Sequence, residues 1–447
     1  MKVFLRTIAA MLIFALVMGL VISGCGVKKD DAGETAQTST KAPEDTKQSE
    51  PLPVEAQEVT VNFANFSASG DNQKYLDQMV AEFNKQYSHI KLNVETVGYG
   101  DYFVQMQTRV AANTAPDCYE LNYENFVSYA KKNVLHELEP LFKETQFDSS
   151  IVNEKALNAF KTDGKQYGLP ASFSNVLLIY NKELFDKAGI SYPTDSWTWE
   201  DGQKAAEKIR VLGKDIFGIF HPIQFWEFFK VVQQNGGSLL NEDKTKFTVN
   251  TPQNIETLQF MVDRVKKSNV MPTEAQLGGV GDWDLFKAGR LGMIVTGVWA
   301  FPDFTRDCNF KWDVAIEPGK TNKATHFFSN GLVINKDSKL AKQAFEWAKF
   351  MSASKEAAMI RVDAGWELPA VNYPEVLEAY MKKTPPENKK AVFDSLQYLI
   401  TPPVIEQFSE MADIMGVHLT AARDGAKTVA KALEDAQKEL EEKIKLK

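Results

Sequence analysis

The sequence predicts an α/β protein built on helix-covered, mainly parallel sheets, and three patterns carry that reading. Strand-like and helix-like periodicities alternate between residues 59 and 121. The same alternation resumes after Pro170, and it returns at 331–351. Strands separated by helices pair side by side, with the crossover helices covering the sheet.

Taken in order, "EVTVNFANFS" opens the series: Val59, Val61 and Phe63 alternate before the polar Asn65 and Ser67. Tyr75, Met79, Phe83 and Tyr87 then fall at four-residue spacing, one face of a helix. Ile90, Leu92 and Val94 alternate again, a helix is predicted from about Asp101 to Ala112, and residues 118–121 form the third strand. After Pro170, "NVLLIYN" reads as a buried strand. Thr198 then caps a helix with Asp201 three residues on, and Gly213 closes it. Thr251-Pro252 starts another helix, whose face is Ile255, Leu258, Val262 and Val265. "GMIVT" at 292–296 and "GLVIN" at 331–335 are strands. A helix from about Lys339 to Met351 follows, and a last helix presents Val429, Leu433, Ala436, Leu440 and Ile444.

At 447 residues the chain has room for two or three domains, and 25% charged with 44% hydrophobic residues is ordinary for a globular protein. A net charge of -8 argues against a nucleic-acid partner, which calls for a basic footprint. Aromatic residues reach 11%, with 8 Trp, consistent with a site that reads flat apolar faces. Lys2 and Arg6 precede an apolar run, Thr7 to Ile22, that is short for a spanning helix of roughly 20 residues. Ile22-Ser23-Gly24-Cys25 resembles the lipobox of bacterial lipoproteins, which implies removal of residues 1–24 and a diacylglyceryl group on Cys25. Residues 26–56 have few large apolar side chains and are expected to form a disordered tether, so that 25–56 holds the body to a membrane by lipid alone. Cys118 and Cys308 are expected to be unpaired thiols. Neither sits at metal spacing from a His or Cys, so no metal or other cofactor is expected.

Ligands of open α/β sheets bind outside the carboxyl ends of the strands. Those ends hold Asn65 and Ser67; Tyr99, Gly100 and Asp101; Asn122, Tyr123 and Asn125; and, after the strand at 292–296, Trp299. The groups are aromatic, amide or carboxylate, with no cationic cluster for phosphate. Each has a plainer reading. Asn65 and Asn122 suit turns, Asp101 suits a helix cap, and Trp299 would also plug a core. Trp226 in "HPIQFWEFF" and Trp283 in "GDWDLF" divide between core packing and ligand stacking, whereas Trp197, Trp199, Trp312 and Trp347 follow helix-start or core patterns.

Four stretches, "APDCYEL", "LLIYNKELFDKAGISYPTDSWTWEDGQKAAEKI", "DLFKAGRLGMIVTGVWA" and "SNGLVINKDSKLAKQAFEWAKFMSA", occur in the order found in carbohydrate-specific substrate-binding lipoproteins of ABC transporters. The chain resembles that family, to which maltodextrin-binding proteins belong, over roughly 60–370. The resemblance implies a two-lobed periplasmic-binding-protein-like fold: 57–170 with about 332–375 in lobe 1, and about 171–331 with 376–447 in lobe 2. Hinge crossings are implied near Leu169 to Asn175, near Phe327 to Gly331 and beyond Pro369. It further implies a monomeric, non-enzymatic receptor that closes on a carbohydrate and hands it to the permease subunits of an importer. In that family Gly-x-Trp commonly stacks a pyranose ring, the place of Trp299, and the loop around Trp366 in "DAGWELPA" faces the cleft. Glu367 beside it, and Ser329 and Asn330 at the second crossing, are further candidates. Two other functions compete. A glycosidase needs two carboxylates roughly 5–10 Å apart, for which Asp282, Asp284 and Glu367 are available, although no segment resembles one. The same fold would also suit a polyamine, since aromatics with carboxylates bind cations.

Overall fold

The computed structural model describes residues 57–446. The predicted leader, the Cys25 lipid site and the tether at 25–56 lie outside these residues.

Ten strands position the site: β1 Val59–Asn65, β2 Ile90–Thr96, β3 Cys118–Asn122, β4 Gly168–Ser174, β5 Val176–Asn181, β6 Phe217–Phe220, β7 Leu291–Gly297, β8 Trp312–Ala315, β9 Phe328–Ile334 and β10 Leu368–Pro369. They form two sheets. One has six strands in the order β10-β4-β9-β3-β1-β2, the other four in the order β8-β5-β7-β6. The α/β class is as predicted, but the sheets are mixed rather than mainly parallel. β2, β1 and β3 run parallel, as do β6 and β7, whereas β9 opposes both β3 and β4, and β5 opposes both β7 and β8. The parallel members follow helical crossovers. β5 and β9 arrive instead from the neighbouring sheet, and no crossover helix constrains their direction.

β4 and β5 belong to different sheets, yet only Asn175 separates them. Its buried amide donates to the Val392 carbonyl at 2.8 Å and to the Ser395 hydroxyl at 2.6 Å. Thr325–His326, just before β9, pairs in parallel with Leu399–Ile400. The Thr325 hydroxyl accepts from the Val176 N–H at 3.0 Å, joining this ribbon to the Asn175 link.

Period-two burial sorts the first sheet. Val61 and Phe63 pack with Leu76, Met79, Phe83 and Trp347 on one face, while Ala64, Tyr119 and Leu121 join Tyr102 and Met106 on the other. The four-residue spacing becomes α1, Gln73–Gln86. α2 is Tyr99–Ala111, capped by Gly98, so Asp101 lies in its first turn instead of capping it. α3 is Tyr123–Lys131. Thr198 and Asp201 form the expected capping box. Three further helices, α4 Phe225–Gln234, α5 Pro252–Lys266 and α6 Phe408–Asp424, share an apolar core with α7, Val429–Lys443. All five residues of the predicted terminal stripe are buried. Cys118 and Cys308 are free thiols. Among the described residues no helix is long and apolar enough to cross a membrane.

Candidate ligand-binding cleft

The strand ends of the first sheet are built around one carboxylate. Glu120 accepts from the Phe66 N–H at 3.0 Å, the Ser67 N–H at 2.9 Å and the Ser67 hydroxyl at 2.7 Å, tying the turn after β1 to β3. Asn65 is consumed in the same turn. Its amide donates to the Glu95 carbonyl and the Thr96 hydroxyl, and its oxygen accepts from Ala68. That is the turn-forming role open to an Asn in this place. Tyr99, which opens α2, is 60% exposed. Its ring meets Phe66 and Phe103 edge-on, with centroids 5.6 and 5.4 Å away, and its hydroxyl reaches the Asn122 side chain. Asn122 also caps α3, accepting from the Asn125 N–H at 3.3 Å and the Asn125 amide at 2.8 Å.

Glu124 follows within the first turn of α3, only 6% exposed. Burial pushes its carboxyl up to about 7. One carboxyl oxygen has no hydrogen-bond partner among the described residues, and the charge acts on both Tyr99 and Tyr123. The Tyr123 hydroxyl meets Thr401, at the end of the Leu399–Ile400 segment. Asp101 is exposed and is in the first turn of α2.

At the end of the four-stranded sheet's β7, Trp299 follows on a single 3-10 turn. A β-carbon on Gly297 would lie 2.0 Å from the Trp299 ring. The indole therefore lies back over the glycine backbone, and any side chain there would displace it. Phe328 meets the partly exposed indole edge-on at 5.6 Å. The aromatic series continues through His326, 4.7 Å from Phe328, to Phe229 at 4.7 Å and the partly exposed Trp226 at 5.8 Å.

Beneath that wall lies a buried charge network. His221 Nε2 is 2.7 Å from Glu227 Oε1, and Arg264 donates to His221 Nδ1 at 2.8 Å. Lys230 contacts both Glu227 and Glu317. Burial lowers His221 and His326 to about 4, so both are neutral near pH 7. Burial alone would raise Glu227, but Lys230 and His221 reverse this and hold it well below the usual carboxylate range. Glu317 is pushed up to about 7, burial outweighing its contact with Lys230. His221, Glu227 and Glu317 could together present a metal-sized set of donors, with ligand atoms within 4.8 Å of one another. The Lys230 ammonium already supplies the positive charge between the two carboxylates.

Trp366 is 3% exposed, packed in the core cluster of Val61, Phe63 and Trp347 with the Arg361 guanidinium 4.4 Å above its ring. The Arg361 nitrogens have no hydrogen-bond partner among the described residues. Glu367 sits at φ +55, accepts from the Ser172 hydroxyl and lies 3.4 Å from the Asn330 amide. Burial raises its carboxyl, with Ser172 and Arg361 pulling the other way. Ser329 donates to the Ser172 carbonyl at 2.8 Å. Trp283 packs edge-on against Phe304, on the hydrophobic cluster that also carries Tyr123.

Of the predicted residues, Asn122 and Tyr123 come together with Tyr99 and Glu124. Trp299 and Trp226 join one aromatic series, and Asn330 meets Glu367. Trp366 and Asn65 are spent on packing and turn formation. Sequence reasoning missed Tyr99, Glu124, His326 and Phe328 as site candidates. "THFFSN" beside the predicted second crossing and the strand-end Tyr99 were the available signals.

A family model described as bacterial extracellular solute-binding protein matches residues 67–358. The chain is similar to the arabinooligosaccharide-binding protein of Bacillus subtilis (strain 168), 26% identical over 362 residues, covering 77% of this chain and 76% of that protein. Among solved structures it resembles the ABC substrate-binding protein Lmo0181 from Listeria monocytogenes in complex with cycloalternan. The TM-score is 0.84 at 45% identity, covering 88% of this chain and 100% of that one. The GacH receptor of Streptomyces glaucescens GLA.O, studied unliganded and with acarbose, shares the fold at a TM-score of 0.76 and 20% identity, over 87% of this chain and 98% of that one.

Proposed function

Since this chain belongs to the family of bacterial extracellular solute-binding proteins, we propose that it captures an oligosaccharide between two lobes and delivers it to an ABC importer permease. The observation that carries the reading is the pairing of two chemistries. The aromatic series of Trp299, Phe328 and Trp226 belongs with the second sheet and the crossing. The amide and carboxylate group of Asn122 and Glu124 stands with Tyr99 and Tyr123 at the strand ends of the first. Sugars present C–H faces to aromatic rings and hydroxyls to planar acceptors, so a site for them needs both. Relatives whose ligands are oligosaccharides support the same class.

The proposal includes anchoring through Cys25, action as a monomer without catalysis or cofactor, and lobes that meet at Asn175, near Phe327 and near Leu399. Ligand bridging both lobes shifts the population toward a closed form. The test is a thermal-shift panel with cycloalternan, arabino-oligosaccharides, gluco-oligosaccharides and polyamines, because a ligand that binds only the folded state raises Tm. A glycan hit should weaken in Trp299→Ala by about 1 to 3 kcal/mol. Shifts with polyamines alone would sink the sugar reading.

A further inference from the structure

We propose that a groove of about 610 Å³ on the second lobe is a further recognition site, taking additional sugar units of a ligand whose first units lie in the cleft. This rests on the oligosaccharide reading above. The groove is bordered by Phe229 and Gln233 of α4, Ser238 and Glu242 of the next loop, Gln253 at the start of α5, and Thr401. Its volume falls within the roughly 300–1,000 Å³ of small-molecule sites.

The loop that shapes the groove is built firmly. Gly236 is left-handed at φ 73, and a β-carbon on Gly237 would lie 2.2 Å from Asn254 Oδ1, so the backbone packs directly on that side chain. Asn254, fully buried, donates to the carbonyls of Ser238 and Thr248, each at 2.8 Å, and of Val249 at 3.1 Å. Asn241 accepts from the N–H groups of Thr245 and Lys246. The groups bordering the space are unspent. The side-chain amides of Gln233 and Gln253 and the carboxylate of Glu242 form no hydrogen bond or ion pair among the described residues. Free amides and a carboxylate repeat the polar half of the cleft's chemistry, while Phe229 at the inner border is buried in the core.

Two contacts join the groove to the cleft. Phe229, at its inner border, is edge-on to the His326 ring, which in turn lies against Phe328 and Trp226. Thr401, on its other border, meets the Tyr123 hydroxyl. The groove therefore begins where the aromatic series and the first lobe's polar group end.

Titration calorimetry of the full chain with linear gluco- and arabino-oligosaccharides of increasing length tests this. Gln233→Ala/Gln253→Ala empties the amide donors, and Gln253→Trp, at a solvent-exposed helix start, fills the space. With wild-type protein, affinity should rise with length and then level off. The groove variants should bind the longest ligand about tenfold more weakly while binding of the shortest stays within about twofold. Unchanged binding of long ligands, or equal weakening of short and long ones, overturns the groove. If no glycan of any length binds the wild type, the receptor reading fails and the groove falls with it.

Discussion

In the second lobe Lys230 is buried with carboxylates of Glu227 and Glu317 against its ammonium. In the first, Arg361 is buried as deeply, with no hydrogen bond to its three nitrogens among the described residues and an indole face 4.4 Å away. Lysine carries a compact, strongly hydrated charge that must be paired when water is removed. Guanidinium is more weakly hydrated and can rest on a π face. The contrast separates a polar core that holds its shape by ion contact from one that holds it by stacking. Only the former lies under the proposed binding wall.

The sharpest way to break that contrast is Lys230→Met. Two carboxylates would then face each other unpaired, and denaturant titration should show a loss of about 3–5 kcal/mol. Next comes Glu124→Gln, which isolates an unpaired acid. Its folded carboxyl titrates at about 7, above the ordinary 4.5, so its contribution to stability is complete below pH 4.5 and lost as pH rises through 7. Relative to wild type, the variant should gain on the order of 3 kcal/mol between pH 4 and 8. A flat difference across that range would remove Glu124 as a buried acid. Gly297→Ala should lower glycan affinity by about tenfold, with a smaller change in Tm, since the new methyl group displaces the Trp299 ring. Smallest is Arg361→Met, expected to cost less than Lys230→Met because it breaks no hydrogen bond and removes only a charge attraction to the buried Glu367 and Glu120. A loss equal to that of Lys230→Met would erase the distinction between the lobes.

What the sequence disclosed follows the range of the forces involved. The Thr198–Asp201 capping box and the Thr251-Pro252 helix start are local, and both are found where their residues predict. Strand direction is not local. The opposition of β9 to β3 and β4 depends on a crossing between sheets, which no period-two pattern encodes. The same limit applies at the site. Trp366 sits in a loop by sequence, yet Arg361 and the packing of the first lobe bury it. Asn65 read equally as ligand contact or turn former, and the choice lay with Glu95, Thr96 and Ala68. His326 and Phe328 gain a role only when α4 brings Trp226 and Phe229 beside them. The packing of Trp299 on Gly297 is local, since the two are two residues apart.

The single residue between β4 and β5 has a mechanical consequence. A joint as short as Asn175 has almost no slack, so relative displacement of the sheets there must be angular, a turning about a point. Under such turning a residue travels in proportion to its distance from the joint, and groups beside it scarcely move. In the proposed closure the mouth of the cleft would be the long arm of a lever. A small sugar held near the joint would leave the distant rims apart, whereas a ligand that reaches those rims sets the angle at which they stop.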